Sequence, residues 1–355
     1  MRVYFYDNSN ISKIHKEWKQ GKYPGQFLYG ATHLHKYGVE LIMHKYDTYS
    51  SDFKRAVSVA WQILTCKEDF EAVYAAHTKG LGILAFLRAI RVFRKPIIVW
   101  HQRPISRSEV GFKELGARLF YAGIDRMFFL SDAIMRESIL SGKVSRERAQ
   151  VVHWGADLGY YNRIMSDNPD VDHRGFISTG KERRDMPTLI RAFSATGQRL
   201  SIYIAYNACG NDYLQILNDL RPSANINVNF TSGLIPHELA QKVWQARCVV
   251  VCCEETNYTT GLTATLEAMA LGLPVVCTRN VNYPFDVDAE GVGISMPYYE
   301  SVAWETTIRN LVKNPDEAVR MGRNARKLAE EVYNLENCTR EVAEAIKDTV
   351  HSMQH

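Results

Sequence analysis

The sequence of 355 residues lacks the features that define several large classes of protein. It has no run of about 18 uncharged apolar residues, so we expect no membrane-spanning helix. The first residues, "MRVYFYD", indicate a strand and have neither the apolar core nor the cleavage site of a secretion signal. No G-x-G-x-x-G follows that strand and no G-x-x-x-x-G-K-[ST] occurs, so neither a dinucleotide enzyme nor a P-loop NTPase is supported.

Cysteine and metal-binding patterns are equally sparse. The seven cysteines are irregularly spaced without a C-x-x-C pair, and we interpret them as reduced thiols of a cytoplasmic protein. Cys252 and Cys253 are neighbours on a strand and point to opposite faces, which is unsuited to a shared metal. Asp286 and Asp288 form a D-x-D late in the chain, where capping a turn is the simpler role. We predict that no metal ion and no cofactor take part.

Charge is divided unevenly along the chain. Residues 1–165 carry 25 Lys/Arg against 15 Asp/Glu, and residues 166–355 carry 18 against 24. The basic first half predicts an anionic substrate or a peripheral contact with the inner face of a membrane, and a merely solvated surface is the alternative. Helix 108–122 is the candidate for that contact, unless it packs into the core instead. Aromatic residues do not alternate with the basic ones, so no nucleic-acid partner is expected.

Short apolar runs alternate with helical patterns throughout, which favours parallel βαβ units. The strands are predicted at 2–6, 39–44, 72–77, 96–101, 126–131, 150–155, 176–179, 200–206, 226–231, 248–253, 274–278 and 292–296. The helices between them are predicted at 24–37, 80–92, 108–122, 132–141, 187–195, 236–246, 262–271 and 301–312, followed by a helical tail at 315–350. The polar stretch 166–175 separates two such series.

This pattern predicts an α/β protein of two doubly wound, parallel-sheet, Rossmann-like domains that face a cleft. The first would comprise residues 1–165 and the second residues 166–335. The last segment, 336–355, would form a helix that packs back on the first domain.

The stretch "TGLTATLEAMALGLPVV" (260–276) places small residues at a helix amino terminus after a strand. Main-chain N–H groups there favour phosphate, and the hydroxyls of Thr260 and Thr263 add further donors. Glu267, one turn further on, could accept two hydrogen bonds from a ribose diol. The alternative is that Thr263 caps the helix and Glu267 lies on a solvated face.

A second loop carries cations at the end of another strand. "FISTGKERRD" (176–185) places Lys181, Arg183 and Arg184 between a strand and a helix. Cations in this position can clamp a diphosphate, whereas a solvated basic turn is the alternative.

These segments resemble a known family. "GLTATLEAMALGLPVVCT" is similar to the nucleotide-sugar helix of the retaining glycosyltransferases of the GT-B fold, the large family four. "VVHWGADLGYYN" (151–162), "STGKERRDMPTLIRAF" (178–193) and the tail 314–346 resemble further segments of that family, and residues 1–150 do so only loosely. The resemblance implies the GT-B fold, with closing helices that cross back to the first domain.

The resemblance also implies a role for individual residues. Lys181 and Arg184 would bind the diphosphate and act in catalysis, and Glu267 would hold the ribose. His101, at the carboxyl end of its strand, would be a catalytic residue, and a structural histidine is the alternative. The complete implied donor site comprises Gly25, Lys181, Arg184, Leu234, Ile235, Thr259, Thr260, Gly261, Leu262, Thr263 and Glu267. Thr259 departs from the family, which has a glutamate there that approaches the donor sugar.

The function implied is retaining transfer of a sugar from a UDP- or GDP-sugar, itself a substrate, to a glycan, lipid-linked or small-molecule acceptor in polysaccharide or glycoconjugate synthesis. Two alternatives stay open. One is a sugar-nucleotide-binding protein without turnover, which Thr259 favours. The other is a nucleotide-sugar epimerase of the same fold.

Overall fold

The computed structural model describes residues 1–231 and 236–353. The chain forms two units, of which the first comprises Met1–Gln20, Gly25–Trp154 and the chain from Leu335 on. The second comprises Gly21–Pro24 and Gly155–Asn334. The chain therefore changes unit within the segment 151–162, and the polar stretch that the sequence suggested as a linker lies inside the second unit.

The first unit is built on a parallel sheet whose central strands are buried. Its strands are β1 (Arg2–Tyr6), β2 (Glu40–Met43), β3 (Ala72–Ala75), β4 (Ile97–His101), β5 (Arg126–Phe129) and β6 (Ala149–Val151). They pair in the order β2-β1-β3-β4-β5-β6, and every pair is parallel. Continuous burial, as along β3 and β4, is typical of a sheet covered on both faces.

Helices follow these strands. They are α1 (Ile11–Lys19), α2 (Asp52–Leu64), α3 (Gly82–Ala89), α4 (Gly111–Ala122) and α5 (Asp132–Leu140). Ser51 and Ser131 cap α2 and α5, because each side-chain oxygen accepts a hydrogen bond from the N–H three residues on. One core cluster joins Val59 and Ile63 of α2, Leu84 of α3 and Ile134 of α5, so these helices cover the same face of the sheet.

The single helix predicted at 24–37 is wrong. The segment contains two short 3₁₀ helices, Gly25–Leu28 and Leu34–Tyr37. Between them Tyr29 and Gly30 have positive φ angles of 49° and 85°, which no α-helix accommodates. The residues between β1 and this segment, where the sequence pattern predicted no helix, contain α1, which Asn10 caps through its side chain.

The second unit repeats the architecture. Its strands are β7 (Phe176–Thr179), β8 (Leu200–Ile204), β9 (Asn207–Ala208), β10 (Asn211–Asp212), β11 (Ile226–Phe230), β12 (Cys248–Val251), β13 (Val275–Thr278) and β14 (Gly293–Met296). Across residues 155–231 and 236–334 the parallel sheet has the order β11-β8-β7-β12-β13-β14, and β9 and β10 form a separate antiparallel hairpin. The predicted fold class, with two doubly wound parallel sheets, is confirmed.

The helices of this unit are α6 (Leu158–Asp167), α7 (Met186–Thr196), α8 (Tyr213–Leu220), α9 (Pro236–Trp244), α10 (Leu262–Ala270), α11 (Ser301–Lys313) and α12 (Pro315–Glu331). The ends of α7 are set by its sequence. Asp185 caps its amino terminus, Pro187 stands in its first turn, and Gly197 ends it with a φ of 66°. The predicted helical tail is interrupted after α12, and α13 (Leu335–His351) belongs to the first unit.

Candidate functional site

The second sheet reverses its strand order between β7 and β12. Consecutive strands extend to one side of β7 and to the other side of β12, so the loops that leave their carboxyl ends diverge there. Such a switch point is where open α/β sheets bind ligands. The loop after β7 contains Lys181 to Arg184, and the loop after β12 leads to α10. The structure thus brings together the two segments that the sequence singled out.

Main-chain hydrogen bonds fasten these two loops to each other. The N–H of Asp185 donates to the carbonyl of Cys252 at 3.1 Å, and the N–H of Glu254 donates to the carbonyl of Arg183 at 2.9 Å. The Arg183 guanidinium forms a 3.2 Å ion pair with Glu254, which also accepts a hydrogen bond from Asn211. These contacts, all within the second unit, hold the loop that contains the cations in place.

Arg184 is the buried cation of this site, with only 5% of its surface exposed. Its Nε and Nη2 donate to the carbonyl of Thr179 at 3.0 and 2.9 Å, and its Nη1 donates to the carbonyl of Glu182 at 2.8 Å. A Cβ on Gly180 would lie 2.1 Å from Nη2, so only glycine leaves room for the guanidinium. Gly180 also has a φ of 102°, which favours glycine independently.

No carboxylate among residues 1–231 and 236–353 forms an ion pair with Arg184. Its hydrogen-bond partners are carbonyl oxygens and the Cys253 sulfur, which satisfy N–H groups but do not neutralise the positive charge. A buried charge without an opposite charge is costly, so this arrangement favours an anionic ligand. Lys181 lies in the same loop but is exposed.

The amino terminus of α10 is open to a ligand. Its N-cap is Gly261, at φ 89°, and no side chain caps the helix, so the alternative in which Thr263 is the cap is wrong. Among the described residues, the N–H groups of Thr263 and Ala264 have no hydrogen-bond acceptor. A Cβ on Gly261 would lie 2.5 Å from Val251 and 2.8 Å from the Tyr283 hydroxyl, which explains the glycine.

The loop before α10 is held by polar contacts. The hydroxyls of Thr256 and Thr260 lie 2.7 Å apart, and Tyr283 donates to the Thr260 carbonyl at 3.0 Å. Thr259 and Thr260 are both buried. A threonine therefore occupies the buried position at which the resembled family has a glutamate.

Glu267 lies on α10, one turn beyond the free N–H groups. Burial raises the pKa of its carboxyl to about 7, and a hydrogen bond from Tyr161 together with the charge of Arg184 offsets part of that rise. The interaction with Arg184 places the carboxylate and the buried cation within electrostatic range of each other. The alternative of a charge on a solvated face is wrong, because Glu267 is only partly exposed and accepts a hydrogen bond from Tyr161.

The structure shows only the location of two other residues of the predicted donor site. Leu262 is buried in the first turn of α10, and Gly25 begins the 3₁₀ helix Gly25–Leu28 in the first unit. Leu234 and Ile235, which were predicted to read the base, lie outside the described residues.

His101 ends β4 at the carboxyl edge of the first sheet, as predicted, but its side chain is buried and not open to a ligand. It is 6% exposed, stacks on Phe129 at a centroid distance of 5.5 Å, and its Nε2 has no hydrogen-bond partner in the described structure. Burial lowers the pKa of His101 to about 3, so the imidazole is neutral. His101 is buried because the rings of Phe129 on β5 and Tyr121 on α4 pack against it.

Replacing His101 by leucine is accordingly expected to preserve the fold and to stabilise it by about 1 kcal/mol at pH 7, because an unsatisfied buried nitrogen is removed. The gain should grow below pH 6.5, where the unfolded histidine takes up a proton and the folded one does not. Thermal denaturation of both proteins at pH 5 and pH 7 measures it. Loss of sugar transfer by a fully folded H101L protein would contradict the view that His101 has only a structural role.

The carboxyl edge of the first sheet instead displays groups that the sequence did not single out. Asp7 follows β1, His77 follows β3 and Gln102 follows β4, at the point where this sheet reverses its order. Asp7 Oδ2 lies 3.8 Å from His77 Nε2, and His77 Nδ1 lies 3.3 Å from Gln102 Nε2. Burial lowers the pKa of His77, and the nearby Asp7 partly opposes that shift.

The expectations about cysteines, metal ions and membrane-spanning helices can be compared with the described residues. The seven cysteines are free thiols. No group of three or more His, Cys, Asp or Glu in this part of the chain is placed to hold a metal ion. No helix there combines the length and the apolar character needed to cross a membrane.

Comparison with known families identifies the second unit. Residues 175–328 match the family model described as Glycosyl transferases group 1. The matched residues run from the start of β7 into α12 and include both loops of the switch point. This part of the chain is similar to that glycosyltransferase family, as the sequence predicted.

A relative and two solved structures extend the comparison. D-inositol 3-phosphate glycosyltransferase of Corynebacterium kroppenstedtii is 28% identical over 128 residues, 36% of this chain, and the match spans 28% of that protein. Anabaena Alr3699/HepE in complex with UDP-glucose is 15% identical with a TM-score of 0.69, covering 98% of this chain and all of the other. Sucrose-phosphate synthase from Thermosynechococcus elongatus is 15% identical with a TM-score of 0.72, covering 99% and 100%. These structural likenesses show the two-domain GT-B fold.

Proposed function

We propose that this protein is a retaining glycosyltransferase that moves a sugar from a UDP- or GDP-sugar to a glycan, lipid-linked or small-molecule acceptor. The product would belong to a cell-surface polysaccharide or another glycoconjugate. Support comes from the similarity of residues 175–328 to that glycosyltransferase family and from the Anabaena protein of the same fold, which was crystallised with UDP-glucose.

A single observation carries the proposal, namely the buried Arg184 guanidinium without a carboxylate partner. It belongs to the same switch point as the uncapped amino terminus of α10, and Glu267 follows one turn later. A nucleoside diphosphate has matching chemistry, because it presents two phosphates and a ribose diol in a fixed order. The phosphates would neutralise Arg184 and accept hydrogen bonds from α10, and the diol would donate to Glu267.

The same groups would assist the reaction. As the bond between the sugar and the diphosphate breaks, negative charge grows on the leaving phosphate, and Arg184, Lys181 and the dipole of α10 would stabilise it. The acceptor hydroxyl would attack from the face that the diphosphate leaves, and a phosphate oxygen would take its proton. No protein nucleophile is required, and Glu254 is already engaged by Arg183 and Asn211. Cationic side chains would supply the charge that other transferases take from a metal ion.

The first unit would serve the acceptor. Asp7, His77 and Gln102 form a polar cluster at the carboxyl edge of its sheet, where hydroxyl-rich ligands can be hydrogen-bonded. The acceptor and the sugar transferred are left open by these contacts.

A second candidate is a sugar-nucleotide-binding protein without turnover. It is favoured by Thr259, which replaces a carboxylate beside the donor sugar with a buried hydroxyl. Binding alone needs the diphosphate and ribose contacts, which remain in place.

A panel of UDP-, GDP- and dTDP-sugars tests the proposal. We expect one nucleotide series to raise the melting temperature, and its sugar donor to release the nucleoside diphosphate in the presence of acceptor sugars, with or without a chelator. A shift in melting temperature without any release would favour the binding protein. No shift with any member of the panel would overturn the nucleotide site itself.

A further inference from the structure

The helix α2 presents two apolar sides. Val59 and Ile63 face the sheet, but Phe53, Val57, Trp61 and Leu64 form a second stripe on the exposed surface of the helix. Phe53 is 74% exposed and Trp61 is 67% exposed. Single exposed apolar residues are ordinary on protein surfaces, whereas a continuous stripe of large ones marks a surface that meets another apolar phase.

The stripe continues on the two helices that follow. Phe86, Ile90 and Val92 are exposed on α3 and the turn after it, and Phe112 and Leu115 are exposed on α4. Phe120 and Tyr121 at the end of α4 pack against the core, as one alternative expected, whereas Phe112 and Leu115 nearer its start do not. We call these side chains, together with the stripe on α2, the α2–α4 surface.

The three helices form one continuous layer. The helix α3 contacts both α2 and α4. The contact with α4 is close, because a Cβ on Gly123, the C-cap of α4, would lie 1.8 Å from the Ala85 carbonyl oxygen. Val59 of α2, Leu84 of α3 and the partly buried Phe120 of α4 pack in the same core cluster, so the exposed stripes share the outer side of one layer.

This layer is strongly basic. The segments 52–64, 82–95 and 110–122 contain eight Lys/Arg against two Asp/Glu. Lys54, Arg91, Arg94 and Lys113 are exposed and form no ion pair within the described part of the chain. Each of them stands within two residues of a side chain of the α2–α4 surface, so apolar groups and cations are interleaved rather than segregated.

We infer that the α2–α4 surface docks on an anionic lipid bilayer, with its aromatic and aliphatic side chains in the interfacial region and its cations among the headgroups. Interleaved apolar and basic residues match the chemistry of that interface. A second copy of the chain fits less well, because two copies of a surface with this charge would repel each other. The inference agrees with the membrane contact predicted at helix 108–122 and adds α2 and α3, and it does not depend on the proposed function.

Vesicle sedimentation tests the inference with the full chain and without any nucleotide, so its outcome is separate from that of the proposed function. We expect sedimentation with vesicles of phosphatidylcholine and phosphatidylglycerol, much weaker sedimentation with phosphatidylcholine alone, and release by high salt. The exposed Trp61 should shift its emission to shorter wavelength on binding, and this shift should be lost in W61F. Trp100 and Trp304 are buried and should not respond.

Matched variants separate docking from general surface changes. F53S/F112S should reduce binding to the anionic vesicles at least about tenfold, whereas L140S/V302S, at side chains that are 77% and 70% exposed elsewhere, should not. K54E/R94E should reduce binding about tenfold or more, whereas the same charge change in K313E/R323E should have little effect.

Three results would overturn the inference. The first is a wild-type protein that stays in solution with both kinds of vesicle. The second is undiminished binding by folded F53S/F112S. The third is a dimer in light scattering that F53S/F112S dissociates, without vesicle binding, which would assign the surface to a second copy of the chain.

Discussion

Replacing Arg184 by glutamine is expected to weaken binding of the nucleoside diphosphate about a hundredfold or more, and to reduce transfer at least as much. The guanidinium is buried, and no carboxylate in the described residues neutralises it, so the phosphate would be its counter-ion. A charged hydrogen bond that is shielded from water contributes about 3 kcal/mol, and leaving-group stabilisation has a similar magnitude. Calorimetry with UDP or GDP, whichever the panel selects, measures the loss.

Neighbouring cations provide the controls. Arg183 lies in the same loop but is already paired with Glu254. R183Q should therefore change the affinity for the nucleoside diphosphate by only about threefold or less. Lys181 is exposed, and K181Q should have an intermediate effect of about tenfold.

The folding of R184Q must be checked by thermal denaturation, because Arg184 also holds the carbonyls of Thr179 and Glu182. R184K keeps the positive charge but lacks the planar set of N–H donors of the guanidinium. It should therefore bind the nucleoside diphosphate more tightly than R184Q and less tightly than the wild-type protein. Equal affinities for wild-type protein and a well-folded R184Q protein would remove Arg184 from the site.

The position of the donor site could be predicted from the sequence because strand patterns are strong in a parallel sheet. Buried runs such as "FIST" and "CVVVCC" have few structural alternatives, and each is followed by a loop and a helix. Strand alternation with helices then places both loops at the carboxyl edge of one sheet. Which strands are neighbours within the sheet was not encoded locally, and the structure supplied it.

The roles of individual side chains were harder to predict, because they depend on direction rather than on sequence position. His101 ends β4 and His77 follows β3 by two residues, and both looked equally close to the sheet edge. Alternation along the strand does not separate them, because His77 continues the series of Val73 and Ala75 just as His101 continues that of Ile97 and Val99. Only the folded structure shows that His101 is buried and His77 partly exposed. Arg184 and Lys181 differ in the same way, because only the folded loop shows that one is buried and the other exposed.

Helical periodicity had a similar limit. The apolar residues of α4 allowed either a core-facing or a surface helix, and the structure divides them: Phe120 and Tyr121 pack against the core, whereas Phe112 and Leu115 are exposed. The region 24–37 satisfied a helical pattern as well, but Tyr29 and Gly30 adopt left-handed conformations that interrupt it. A hydrophobic pattern shows that a face needs a partner, but it does not show whether that partner is the core.

Replacing Glu267 by glutamine is expected to separate stability from binding. Burial raises the pKa of Glu267 to about 7, so the folded protein holds this proton more tightly than the unfolded chain does. The unliganded wild-type protein should therefore lose stability as the pH rises from about 4.5 to 7, where the buried carboxyl must ionise. E267Q avoids that cost, and should melt at a higher temperature than wild type at pH 8 and at a similar temperature at pH 5.

Binding should change in the opposite direction. The ribose diol would donate two hydrogen bonds to the ionised carboxylate, whereas a glutamine side chain offers one acceptor oxygen, so E267Q should bind the nucleotide about tenfold or more weakly at pH 8. Wild-type affinity should fall by up to about tenfold per pH unit below pH 7, as Glu267 takes up a proton in the free protein. The diphosphate itself also titrates near pH 6, so the same pH series with E267Q isolates the contribution of Glu267. Parallel pH profiles for the two proteins would show that the carboxylate does not bind the ligand, because a group that contacts the nucleotide in its ionised form must couple binding to its own proton.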